Sequence, residues 1–141
     1  EFDRAKPVQI TFNEELGAAE YSNYFVYGSS DFSTTDTNFK NFLKDCKKLI
    51  EKKGKVEIVI ESSASNVPSK KYTNNEELSK ARSTKAITTI KTELTKMGFK
   101  QDVNFVFQPA KNLVQGKKFE NDRDTAREEY EKYQYIKIKV Q

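Results

Sequence analysis

Arginine is scarce in this chain. Of 25 basic residues only Arg4, Arg82, Arg123 and Arg127 carry a guanidinium, and the rest are lysines. A guanidinium is a planar fork that can hold a carboxylate through two parallel hydrogen bonds, which an ammonium cannot do. Arg82, near the N-terminal end of a long amphipathic stretch that opens at Tyr72-Thr73-Asn74-Asn75, is therefore the first residue to suspect of recognition. What the chain lacks narrows the chemistry further. It contains no histidine, which removes Ser-His and Cys-His nucleophile systems and nearly all zinc sites. The acidic pairs Glu76-Glu77 and Glu128-Glu129 are sequence neighbours, so on a helix they point about 100° apart and cannot share one substrate atom. Five dispersed glycines show no phosphate-loop spacing. A binding domain is expected rather than an enzyme, with no metal and no cofactor.

The elements that must position Arg82 can be read from periodicity. Residues 8 to 13 and 21 to 27 are rich in β-branched and aromatic residues and predict two short strands separated at Gly17-Ala18-Ala19. From Thr35 the pattern becomes helical, with Phe39, Phe42, Leu43, Cys46, Leu49 and Ile50 at three- and four-residue spacing, Thr35 or Asp36 as N-cap and Gly54 as the stop. Val56 to Ile60 alternates as a strand, and residues 61 to 73 read as a loop leaving its C-terminal end. A second helix begins near Asn74, where Thr73 and Glu76 have capping-box spacing, and buries Ser83, Ala86, Ile87, Ile90, Leu94 and Met97. Arg82 falls at the edge of that stripe. Val103 to Phe107 predicts another strand, a charged segment at 117–132 holds a short helix from Thr125 to Glu131, and Ile136 to Val140 alternates apolar with lysine as a closing antiparallel strand. The order predicts an α/β (α+β) two-layer sandwich with helices on one face of a mixed sheet.

At 141 residues the chain suits one domain. Hydrophobic residues at 35% and charged ones at 33% describe a polar but folded protein. The net charge of +4 permits an anionic partner without requiring one, since most lysines fall in scattered pairs that read as solvated helix ends. Phe105, Phe107, Tyr133 and Tyr135 are candidate base-stacking platforms. Val103, Phe105 and Phe107 share one strand face as core residues do, and the glycine and arginine pattern of an RNA-recognition strand is missing, so no nucleic-acid partner is expected. Cys46 sits on an apolar helix face as an inert core thiol. No run approaches the roughly 20 apolar residues of a membrane span, and no signal peptide is evident. The start at Glu1-Phe2 without methionine suggests an excised domain or a mature chain.

From Asn75 the chain resembles the OmpA-like domain, the peptidoglycan-associated module of Gram-negative envelopes. The second helix of that family opens N-x-x-L-S-x-x-R-A, and Asn75, Leu78, Ser79 and Arg82 match it in register, with Ser83 at the alanine position. The resemblance covers residues 21 to 140, leaving 1–20 as an N-terminal extension or extra strand and 117–132 as a charged insertion. It implies a periplasmic, outer-membrane-associated domain that binds the diaminopimelate of a peptidoglycan stem peptide and anchors a larger protein through a part not present here. The degenerate motif and the lysine and asparagine content look like envelope proteins of the Bacteroidota. The resemblance also implies a ligand set: Arg82 on the carboxylate, with Asn75, Ser79, the hydroxyls of Ser63 or Ser65, and Glu61 beside it. Departures from the pattern cut into that set. The family's G-H-T-D is Glu61-Ser62-Ser63-Ala64 here, with Ala64 at the aspartate position, and its N-R-R-V is Tyr133-Gln134-Tyr135-Ile136. Three local alternatives stay open. Arg82 serves only to cap the loop carbonyls at 61–66 or to pair with Glu77 or Glu61, Asn75 is only an N-cap, and Ser62 to Ser65 is only turn chemistry. The alternative function is a protein interaction module that has lost peptidoglycan binding, with other envelope proteins as its partners.

Overall fold

The computed structural model describes residues 9–13, 17–26 and 28–141. Among the described residues two antiparallel strands come first, β1 (Gln9–Asn13) and β2 (Ala18–Tyr24), and the long helix α1 (Thr37–Lys53) follows. Asp36 caps α1 by accepting from the amides of Asn38 and Phe39, and it also accepts from the Tyr21 hydroxyl at 2.9 Å. Gly54 ends the helix at φ 83°, a left-handed conformation that favours glycine, with its amide returning to the Ile50 carbonyl. The apolar stripe expected for α1 is the buried one: Phe39, Phe42, Leu43, Cys46, Leu49 and Ile50 all face the core. Burial raises the pKa of the Cys46 thiol, as an inert core group requires.

Strand β3 (Val56–Ala64) leads into α2 (Asn75–Lys96). The remainder comprises β4 (Phe105–Phe107), β5 (Lys111–Val114), the short α3 (Arg127–Glu131) and β6 (Tyr135–Val140). In the mixed sheet the order is β1-β2-β6-β3-β4, with β5 also paired to β3 beyond the end of β4. The last strand thus enters the middle, antiparallel to both β2 and β3, while β4 and β5 run parallel to β3. One row crosses the sheet as Tyr21, Ile138 and Ile60, and the next as Ala19, Val140 and Ile58. These residues are buried against α1 and α2. Alternate positions Glu20, Lys137 and Lys139 are not part of that core and face the other side. This is the two-layer sandwich with helices on one face that the periodicity predicts.

Several local expectations change. Strand β3 runs to Ala64 instead of stopping at Ile60, because Glu61 to Ala64 pair with Lys111 to Val114 of β5 and Glu61 to Ser63 also with β6. Pairing on both sides overrides the polar composition of that segment. Strand β5 itself carries no strong alternation in sequence and was not predicted. Ala18 and Ala19 belong to β2, so only Gly17 of the expected break lies between the strands. Val103 is 59% exposed in the turn before β4 rather than packed beside Phe105 and Phe107. Met97 is exposed at the end of α2, past the point where the stripe meets the core. The α2 N-cap is Asn74, whose side chain accepts from the Glu77 amide, and not Thr73.

Candidate functional site

Arg82 lies on the first half of α2, above the C-terminal end of β3, and is fully buried. Its place is inside the stripe rather than at the edge. The reason is that four acceptors converge on the guanidinium. Nε donates to the Ser29 carbonyl at 2.8 Å, Nη2 to the Val26 carbonyl at 3.0 Å, and Nη1 to the Ser63 carbonyl at 2.8 Å and to Oε1 of Gln134. Four of the five N–H donors are thereby satisfied. The ring of Phe25 lies against the guanidinium with its centroid 4.6 Å from Cζ. All four acceptors are neutral, so the hydrogen bonds are met while the charge is not balanced by a carboxylate. Burial accordingly lowers the Arg82 pKa to about 9, with Tyr72 acting weakly in the other direction, and the group remains a cation at neutral pH.

The other expected residues divide into three groups. Ser63 and Ser65 come to Arg82: Ser63 through its carbonyl, and Ser65 through Gln134, whose Nε2 donates to Ser65 Oγ while its Oε1 accepts from Arg82. Ser79 is buried on the same helix but closes a different contact. It donates to the Ser62 carbonyl at 3.1 Å, and Ser62 Oγ donates to the Ser79 carbonyl at 2.6 Å, which fastens α2 to β3. Glu61 is on the other side of the sheet, since β3 turns Ile58, Ile60 and Ser62 toward the helices and Glu61 away from them. There it accepts from the Tyr135 hydroxyl at 2.7 Å. Gln115 links that pair back to the site, donating to Tyr135 at 2.8 Å and to Ser63 Oγ at 3.0 Å. Asn75 shares a helix face with Arg82 but lies two turns away, about 10 Å along the axis. Its Oδ1 is buried with no hydrogen-bond partner. Ala64, at the family's aspartate position, is buried in β3 and supplies no acid.

Sequence reasoning missed Gln134, Phe25 and the carbonyls of Val26 and Ser29. The one available signal was the departure from the family pattern at Tyr133-Gln134-Tyr135-Ile136. The backbone acceptors leave no trace in side-chain types. A further tie was equally hidden: Ser30 Oγ and the Tyr72 hydroxyl, 2.8 Å apart, hold the segment after β2 to the loop before α2. Among the described residues no cluster of side chains is placed to hold a metal ion, and no helix is long and apolar enough to cross a membrane.

No protein-family model and no curated protein matches this chain. Solved structures do. A MotB-like protein from Desulfovibrio vulgaris superposes with a TM-score of 0.54 at 16% identity, covering 95% of this chain and 80% of the other. The cell wall anchor of the T6SS from Pseudomonas aeruginosa gives 0.54 at 16% identity over 96% and 88%. The OmpA-like domain of FopA1 from Francisella tularensis gives 0.50 at 11% identity over 94% and 79%.

Proposed function

The chain has the OmpA-like fold, and from that premise we propose that it is a non-catalytic domain of the bacterial cell envelope that binds peptidoglycan and anchors a larger protein. The observation that carries this reading is the placement of Arg82. It stands at the C-terminal end of β3 with Ser63 and Ser65 beside it, in register with Asn75, Leu78 and Ser79 of the motif, on a fold whose solved neighbours include a protein described as a cell wall anchor. Arg82 takes a carboxylate of the diaminopimelate-containing stem peptide, with Ser63 and Ser65 beside it and Asn75 two turns back on the same helix face, while Ser79, fastened to Ser62, and Glu61, on the far face of the sheet, stand outside the set. Asn75 Oδ1 is an acceptor without an internal partner, which suits the amine of the same ligand residue. The location is periplasmic, with attachment to the outer membrane through another part of the protein.

Co-sedimentation with purified diaminopimelate-type sacculi tests the reading. Retention of the domain, lost in Arg82→Lys with the fold verified by circular dichroism and weakened in Asn75→Ala, is the expected result. Retention unchanged by both substitutions sinks the site assignment.

The engagement of four of the five Arg82 donors inside the protein favours a second reading, in which the fold persists as a protein interaction module and the arginine is purely structural. In that case sacculi do not retain the domain under any condition, and crosslinking in the envelope recovers a protein partner instead.

A further inference from the structure

A carboxamide has the shape of a carboxylate without its charge. Gln134 presents such a group at Arg82: Oε1 accepts from Nη1, and Nε2 donates to Ser65 Oγ. All three side chains are buried, with exposures of 0% for Arg82 and Ser65 and 1% for Gln134. The residue arrives from the start of β6, 52 positions away in sequence, so it is delivered to the arginine by the sheet and not by local structure. We propose that Gln134 is a built-in occupant of the Arg82 site, a neutral stand-in for a carboxylate that any carboxylate ligand must displace. The proposal rests on the reading above only in taking Arg82 as the place where a carboxylate binds.

Three features carry it. A buried cation surrounded only by neutral acceptors gains from an anion, because hydrogen bonds to dipoles replace lost hydration without cancelling the charge. The guanidinium holds its remaining partners through backbone carbonyls of Val26, Ser29 and Ser63, which no side-chain exchange can remove. Gln134 is therefore the one side-chain acceptor among the four, and the one that can leave while the backbone stays in place. Ser65 Oγ, which accepts from the carboxamide, can turn its hydroxyl to donate once a carboxylate is there instead.

Removal of the occupant makes the test. In the 141-residue chain, Gln134→Ala is expected to melt lower than the parent, and added acetate is expected to raise its melting temperature by about 9 °C at a hundredfold excess over its dissociation constant. The parent should not respond, and chloride at equal ionic strength should rescue neither. Acetate acting no better than chloride on Gln134→Ala overturns the proposal. Should that variant fail to fold, Gln134→Glu decides instead: a tethered carboxylate is expected to melt above the parent at neutral pH and lose the advantage in acid, and melting below the parent at both overturns the idea. Sacculi then separate this proposal from the cell-wall reading. Retention of Gln134→Ala several-fold above the parent supports both. Equal retention of the two proteins overturns the built-in occupant and leaves cell-wall binding standing. Acetate rescue with no retention of either supports the occupant and ends cell-wall binding.

Discussion

Arg82 holds four acceptors from three separate parts of the chain: Val26 and Ser29 after β2, Ser63 in β3 and Gln134 before β6. Each hydrogen bond to a charged donor is worth about 1.5–3 kcal/mol, and each acceptor left buried without a partner costs about 1–3. Arg82→Ala is accordingly expected to lose at least about 3 kcal/mol in urea unfolding followed by circular dichroism. Arg82→Lys retains the charge but offers a compact ammonium with three donors in place of a fork. It should lose roughly half as much. Equal stability of Arg82→Ala and the parent would show that the four contacts contribute nothing. The scarcity of arginine and its motif marked this residue from sequence alone. Its partners were not marked, because three of the four are backbone carbonyls and the fourth is an ordinary glutamine.

Among the elements, α1 was the most legible because everything that defines it is local. Its stripe repeats at helical spacing, and Asp36 and Gly54 bound it within the same few turns. Asp36→Ala removes the cap and the Tyr21 contact together, with an expected cost of about 1–2 kcal/mol measured by urea unfolding. The 117–132 segment behaves differently. Phe119 packs on Tyr130, and Asp122 gathers Lys117 and the Tyr130 hydroxyl around one carboxylate. The hydrogen bond from Lys117, with that from Tyr130 second, lowers the Asp122 pKa to about 2. A carboxyl lowered in the folded state contributes stability above its unfolded pKa, near 4, and loses it as the pH falls toward 2. Tyrosine near-ultraviolet circular dichroism is expected to change between about pH 4 and pH 2. In Asp122→Asn that transition should disappear, and its persistence would assign it to another group.

Across the whole molecule, β6 joins the two halves. It is last in sequence and central in space, with Ile138 between Tyr21 of β2 and Ile60 of β3. Ile138→Ala is expected to cost about 2–5 kcal/mol. Lys137→Ala, on the outer face, should stay within about 0.5 kcal/mol. Thermal unfolding of the two variants checks the assignment of faces, and similar losses would contradict it. The order of strands and helices apart from β5, the stripe of α1, most of that of α2 and the alternation of β6 were written in the sequence by itself, because each is a periodicity carried by neighbours along the chain. The tertiary structure alone decided the rest. Glu61 to Ala64 became strand because β5 and β6 flank them, and Glu61 was turned away from Arg82 by the pleat. Arg82 met Gln134 because a strand from the far end of the chain enters the centre of the sheet. Contacts of that kind depend on where distant segments pair, and no local pattern encodes which polar side chain arrives opposite another.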